Sequence, residues 1–372
     1  MYRPSIKSRR TLLVLMVLAA GLYYWSENSH VRIRQPHYDL KLAAAQRMLQ
    51  AIDVLRANRV ASGYTLDEIN DPNQSALIGE RYSLITTDQG ELGAKLTSVN
   101  PNFAAVILQM LMDAGVERGD KVAIGFTGSF PALNIAVIIA CEVLEAEPVI
   151  ITSVGSSSWG ANEPEFTYLD MERILFERGL IQHRTLAASI GGGEDIGRAL
   201  SRSGRNLIQE AIQRNQVTAI QGKTLEENME ARRLVYKEQA PGQSYECFVN
   251  VGGGLAVLGS SETAALIPPG LNLQYRPMNY PNRGLLFDFW EQGVPVIHLL
   301  NVDEIAVKYG LPRSPVPLPS VGLGRVFTVE RYNITIAAIS ATLLFAVLLG
   351  IVLLDRDKFK LREEGVDPDT LV

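Results

Sequence analysis

Four short segments of this sequence combine glycine with hydroxyl, amide or guanidinium side chains at spacings that can hold a ligand. In Gly125-Phe-Thr-Gly-Ser129 a strand pattern gives way to a helix pattern, with Ser129 as the cap and Pro131 in the first turn. Backbone N–H groups around Thr127, Gly128 and Ser129 can therefore meet an anion. Asn134, one turn on, either faces the same spot or satisfies a neighbouring carbonyl. The stretch from Ser153 to Glu165 runs from the carboxyl end of a predicted strand into the next helix, the edge at which open α/β sheets bind ligands. There Ser156, Ser157, Ser158, the Trp159 ring and the Asn162 amide can grip a carbohydrate, a peptide or a carboxylate. The plainer reading has Asn162 capping the helix while Glu163 and Glu165 complement its dipole. Gly191, Gly192 and Gly193 precede a helix that carries Arg198, Arg202 and Arg205 on one side, a handle for a polycarboxylate. Ion pairs of Arg198 with Glu194 or Asp195 account for the same pattern. Gly252, Gly253 and Gly254 follow another strand, ahead of a helix start at Gly259-Ser-Ser-Glu262. Two glycine turns after separate strands can converge at one sheet edge and make a single cleft.

What is missing narrows the chemistry. The dinucleotide GxGxxG and the phosphate loop GxxxxGK[ST] are absent, as are HExxH, GxSxG and SxxK spacings. No catalytic residue and no cofactor is assigned, and no metal site is expected. The acidic set Glu163, Glu165, Asp170 and Glu172 offers oxygen ligands but lacks the EF-hand alternation, and reads as a solvated helix face. His298 on an apolar strand reads as a core imidazole. Cys141 and Cys247 read as buried structural thiols that can make at most one bridge. Lys and Arg total 35 against 40 Asp and Glu, a formal charge of -5, which argues against bulk attraction to nucleic acid. With 47% apolar and 20% charged residues the 372-residue chain is a folded protein with room for a sizeable core.

The elements that would position these segments alternate. A helix is predicted over 36–59, another from Asn100-Pro101, a strand over 121–125, a helix to about Glu145 and a strand over 148–153. Strands over 245–251 and 294–300 follow, the latter feeding a helix near 303–309. Helices over 164–178, 194–214 and 225–238 fill the intervals. The fold class is α/β, a largely parallel sheet flanked by helices, with an N-terminal and a C-terminal transmembrane helix.

Two apolar runs support the membrane part. Ile334–Leu354 is 21 residues without a charge, enough to span a hydrocarbon core of about 30 Å. Thr11–Trp25 has 15 residues, follows Arg3, Lys7, Arg9 and Arg10, and ends in Tyr23, Tyr24 and Trp25. It reads either as an uncleaved anchor with an interfacial aromatic belt or as a signal peptide. Eight Lys or Arg flank the cytoplasmic ends against five on the other side, which places both ends inside and the middle outside the cytoplasm. The expected organisation is a basic cytoplasmic tail over 1–10 and the anchor or signal peptide over 11–25. A helical stalk and polar lead-in follow over 26–99, then an extracytoplasmic α/β domain over 100–311 and a Pro-rich linker over 312–333. A transmembrane helix over 334–354 and a cytoplasmic tail over 355–372 complete it. Outside the cytoplasm, nucleoside triphosphates and nicotinamide cofactors are scarce.

The segments Gly125 to Val137, Ser153 to Glu172 and Gly191 to Arg198, with a membrane segment at each end, resemble the poly-gamma-glutamate system protein family. The resemblance implies a two-pass protein of the cell membrane associated with making and exporting poly-gamma-glutamate, as capsule or exopolymer. Its partners would be the lipid bilayer, the membrane polyglutamate synthase components and the anionic polymer. It carries no catalytic assignment. An acidic protein must meet a polyanion through a local basic groove or backbone donors, and Arg198, Arg202 and Arg205 are the nearest such groove in sequence. The alternative is an extracytoplasmic hydrolase or transferase acting on gamma-glutamyl bonds, with Ser129 or the Ser156 to Ser158 cluster as nucleophile and no partner base evident. A membrane-tethered sensor is disfavoured by the short tail after Leu354.

Overall fold

The structure, a computed structural model, describes residues 8–363 and 365. The tail positions 1–7, 364 and 366–372, Arg3 and Lys7 among them, lie outside the described residues. The chain divides into two compact units, Gln35–Phe327 and the pair of terminal stretches outside it.

In the larger unit the elements used below run in chain order as α1 (Tyr38–Ala61), α2 (Leu92–Ser98), α3 (Phe103–Asp113), β1 (Lys121–Thr127), α4 (Pro131–Val143) and β2 (Glu147–Ser153). They continue as α5 (Tyr168–Glu177), β3 (Ala187–Ser189), α6 (Arg202–Arg214), β4 (Thr218–Ala219), α7 (Leu225–Gln239) and β5 (Cys247–Val251). β6 (Gly270–Asn272), β7 (Val296–Leu299) and α8 (Val302–Tyr309) complete the set. Seven strands form one sheet in the order β6-β7-β5-β1-β2-β3-β4, parallel throughout except for β6 against β7. From β1 the chain lays β2, β3 and β4 to one side, then returns to place β5 and β7 on the other. The reversal falls between β1 and β5, and there the carboxyl ends of the strands leave a crevice.

The strand sequences follow from burial on both faces, which replaces alternation of polar and apolar residues by continuous apolar runs. In β1, Val122, Ile124 and Phe126 join the core cluster on one face with α1, α3 and α4, while Ala123 joins the cluster on the other. On that second face Tyr236 from α7, Phe248 from β5 and Trp290 are packed together. β3, β4 and β6 were not expected; they hold three, two and three residues, too few and too small to make a periodic signal.

Several sequence expectations need correction. The helix read from 164 begins at Tyr168, because Thr167 and Asp170 form a reciprocal capping box: Thr167 donates from N and Oγ1 to Asp170 Oδ2 at 2.8 and 2.7 Å. The helix read from 194 begins only at Arg202, where Ser201 Oγ accepts from Gly204 N; Glu194 and Asp195 hold positive φ and interrupt it. The helix over 36–59, open to two readings as a stalk or as packed on the domain, takes the second: α1 packs on α4, α3 and α5 inside the compact unit. The Pro-rich stretch also lies on that unit, with Asn73 Nδ2 donating to Pro315 O at 2.8 Å and Ser314 N to Thr97 Oγ1 at 2.9 Å.

Of the acidic set only Glu165 is exposed as expected; the other three are not a solvated face. Glu163 pairs with Arg59, and Asp170 is bound by Arg214 and Asn215. Although burial opposes it, these hydrogen bonds hold the Asp170 carboxyl below the usual range. Glu172 accepts from Thr185 N and Oγ1, both at 2.9 Å, and burial pushes its carboxyl up to about 7. Among the described residues no cluster of His, Cys, Asp and Glu is arranged to hold a metal ion.

In the second unit the helices Arg9–Glu27 and Ile334–Glu363 pack against each other, and His30–Arg34 pairs antiparallel with Thr328–Tyr332. Of the described helices one, over Ile334–Leu354, is long and apolar enough to cross a membrane. The first helix has 19 residues, but Arg9, Arg10, Ser26 and Glu27 at its ends dilute the apolar run, so length and composition support one span where two were expected.

Candidate functional site

The site is built where β1 and β5 end. Thr127 Oγ1 donates to Val251 O at 3.2 Å, lacing the two strand ends together at the reversal point. Both strands then leave through glycine. Gly128 donates to Ser153 O at 2.9 Å, and a Cβ there would stand 2.4 Å from Val154 O. Gly252 has φ +86, and a Cβ would stand 2.2 Å from Thr127 Oγ1. No larger side chain fits either turn. Asn134 takes the plainer of its two readings: its Nδ2 donates to Thr127 O at 2.8 Å, pinning the end of β1 to α4.

Between these turns lies a cavity of about 420 Å³. Its walls bring together all four sequence segments: Thr127 and Ser129 from the first, Ser153 and Ser157 from the second, Gly192 and Gly193 from the third, Gly253 and Gly254 from the fourth. Ser129 and Phe130 stand at the N-terminus of α4, where the cap is Phe130 and not Ser129 as expected: Ser129 Oγ accepts from Ser157 N at 3.1 Å instead, and Pro131 at the first helical position has no N–H to cap. The site is thus rich in hydroxyls and backbone donors.

A fifth segment, not singled out in sequence, closes the cavity. Thr86–Asp88 pairs parallel with Ser156–Ser157, which sets Asp88 beside Ser157 and brings Thr87, Gln89 and Glu91 to the wall. Asp88, Gln89 and Glu91 are exposed and form a rim. α2 then carries Lys95 inward, where it is only 2% exposed. Its Nζ donates to Ser129 O and, at 3.0 Å, to Ser157 Oγ, and it stands 3.7 Å from the centre of the Phe130 ring. Burial lowers this ammonium to about 7, and no carboxylate offsets that cost. A lone lysine in the stretch Leu92–Ser98 reads as solvated, so sequence gave no warning of it.

Other expected site residues are structural. Ser156 Oγ donates to Ser157 O at 2.9 Å, and Ser158 N to Asp88 O at 3.0 Å. Asn162 caps no helix; its Oδ1 accepts from Glu80 N at 2.9 Å, and its Nδ2 donates to Glu80 O and Thr86 Oγ1 at 2.7 and 2.9 Å, fixing the strand that bears Asp88. Trp159 lines a separate hollow with Arg81 and Tyr82. Gly191 accepts from Gly197 N at 2.8 Å within its own loop. The arginine groove does not form: Arg198 pairs with Glu194, Arg205 donates to Leu200 O at 2.6 Å, and Arg202 lies exposed at the start of α6 and lines no wall of the cavity.

Behind Ser153 sits a buried ion pair. Arg232 of α7 donates from Nη2 to Asp195 Oδ2 at 3.0 Å, to Ser153 Oγ at 2.9 Å and to Ser189 Oγ at 2.8 Å, with both charged partners at or below 1% exposure. Ser153 and Ser189 in turn donate to Asp195 Oδ1 at 2.7 and 2.8 Å. The cluster ties the ends of β2 and β3 to the Gly191–Gly193 turn. His298 is a core imidazole as expected: it bonds Asn250 Nδ2 at 3.0 Å, and burial lowers it to about 4. Cys141 and Cys247 are free and buried, and burial raises both thiols, so neither is a ready nucleophile. Neither protein-family models nor curated protein sequences give a match to this chain.

Proposed function

We propose that this chain is a membrane-anchored accessory protein of poly-gamma-glutamate synthesis or export, whose α/β domain lies outside the cytoplasm and takes a gamma-glutamyl residue of polymer or precursor into the cavity at the β1/β5 reversal. One observation carries the reading: four glycine- and hydroxyl-bearing segments converge on one cavity around a buried lysine that has no carboxylate partner. An acidic protein thereby gains a local site for an anion without the arginine groove. The rim completes the match. The amino end of a gamma-linked chain bears an ammonium and a carboxylate on one carbon; Asp88 and Glu91 suit the first, Lys95 and the backbone donors the second. The alternative, a hydrolase or transferase acting on gamma-glutamyl bonds, gains from the same lysine the base its serines lacked.

The test is calorimetric titration of the full chain in detergent with gamma-glutamyl oligomers. Binding that is weakened at least tenfold by Lys95→Met, and that alpha-linked oligoglutamate of equal charge does not reproduce, is the expected result. Equal affinity for the two linkages, or no binding, overturns the ligand assignment.

The resemblance to the poly-gamma-glutamate system proteins and the outward-facing apolar side chains of both terminal helices support a two-pass anchor in the lipid bilayer. Leu12, Leu13, Met16 and Val17 on the first helix, and Phe345, Leu349 and Leu353 on the second, are exposed and need an apolar surround. A reporter active only outside the cytoplasm, inserted in the exposed turn at Gly242, is expected to be active. Activity of a cytoplasm-only reporter at that position would instead put the domain inside.

A further inference from the structure

We propose that Ser157 and Lys95 are a nucleophile and its general base, and that the cavity carries out acyl transfer on an amide-linked donor. The proposal rests on reading this cavity as the ligand site and extends it from binding to bond breaking.

Lys95 Nζ lies 3.0 Å from Ser157 Oγ, within reach for direct proton transfer, and both side chains line the cavity. The serine is held from behind, because its N–H donates to Ser129 Oγ at 3.1 Å and its strand pairs with Thr86–Asp88. The other neighbours of Lys95, the Ser129 carbonyl and the Phe130 ring, offer no counter-charge. Asp88 and Glu91 on the rim are the other ionisable side chains lining the cavity. A lysine that is neutral near pH 7 can act as a base, and burial puts Lys95 there. Cys141 and Cys247 are buried away from the cavity, and Ser156 is bonded into its own loop, so Ser157 is the hydroxyl with both a base and access.

The step balances without a cofactor. Neutral Lys95 takes the Ser157 hydroxyl proton as Oγ bonds to the carbonyl carbon, and negative charge grows on the carbonyl oxygen within the cavity walled by Ser129 and Phe130. The carbon–nitrogen bond then breaks, and the Lys95 ammonium gives its proton to the departing amine. Water or a second amine attacks the acyl ester on Ser157, passes its proton to Lys95, and the serine regains one from the lysine.

The full chain in detergent is treated with a fluorophosphonate, which forms a bond from Ser Oγ to phosphorus and expels fluoride, and is followed by intact mass and peptide mapping. A single adduct at Ser157 is expected, formed faster as the pH rises through about 7. It is expected to be absent from Ser157→Ala and slowed at least ~100-fold in Lys95→Arg, which keeps the cation but cannot deprotonate. Lys95→Met, expected to remain folded and equally slow, guards against a misfolded arginine variant; melting temperatures are measured for all. No adduct, an adduct on another serine, or wild-type rates in both lysine variants overturns the proposal. Oligomer binding that survives without labelling removes the acyl transfer alone. Labelling of Ser157 without oligomer binding removes the gamma-glutamyl assignment and leaves the nucleophile standing.

Discussion

Replacing Arg232 with methionine will destabilise the α/β domain by about 3–5 kcal/mol, the usual cost of leaving a buried charge without its partner. Asp195 is 1% exposed, and after the substitution it would keep only the Ser153 and Ser189 hydroxyls, which cannot neutralise it. For a domain of this size, about 2 °C per kcal/mol turns that loss into a fall on the order of 10 °C in melting temperature. The cavity suffers with the fold, since Ser153 lines it and Asp195 anchors the loop bearing Gly192 and Gly193. The double variant Arg232→Met, Asp195→Asn separates the pair from simple packing. Asparagine tolerates the positive φ of 58 at position 195 and carries no charge, so the double variant should recover most of the stability. A double variant as unstable as the single would mean that shape, and not charge, is what Arg232 supplies. Thermal melts of the three proteins in one detergent decide between these.

The fold was legible where burial on both faces wrote itself into the sequence. Lys121–Thr127, Glu147–Ser153, Cys247–Val251 and Val296–Leu299 are apolar runs bounded by turn residues, and each forms a strand. Ala187–Ser189 and Thr218–Ala219 carry no such signal, because a short strand of small residues is specified by the neighbours it pairs with and not by its own side chains. The glycine turns were legible one by one. Their meeting was not, since it depends on strand order, and strand order depends on where the chain reverses between β1 and β5. Local spacing misled at Arg198, Arg202 and Arg205, where positive φ at Glu194 and Asp195 breaks the helix that would have aligned them. It was silent at Lys95 and Arg232. A cation inside a short amphiphilic or charged helix reads as solvated, and only the tertiary structure turns it inward.

That inward turn has a measurable consequence at Lys95. Methionine in its place should make the domain relatively more stable as the medium becomes more acidic. A lysine lowered from 10.5 to about 7 favours folding in its neutral form. Its contribution is fully present above about pH 10.5 and is lost as pH falls through about 7. Methionine has no such loss. Near pH 9 the variant gives up two hydrogen bonds, to Ser129 O and Ser157 Oγ, about 1 kcal/mol each, softened because Ser157 faces a cavity that water can enter. Near pH 6 it is spared the burial of an unpaired ammonium. The stability difference between variant and wild type should therefore move in favour of the variant by about 1–3 kcal/mol between pH 9 and pH 6. Denaturant midpoints at both pH values read it directly, and a difference that does not change with pH would mean the lysine is not desolvated. A variant that gains stability at low pH while losing ligand would identify Lys95 as a residue whose burial opposes folding and whose place in the chain is explained by what the cavity holds.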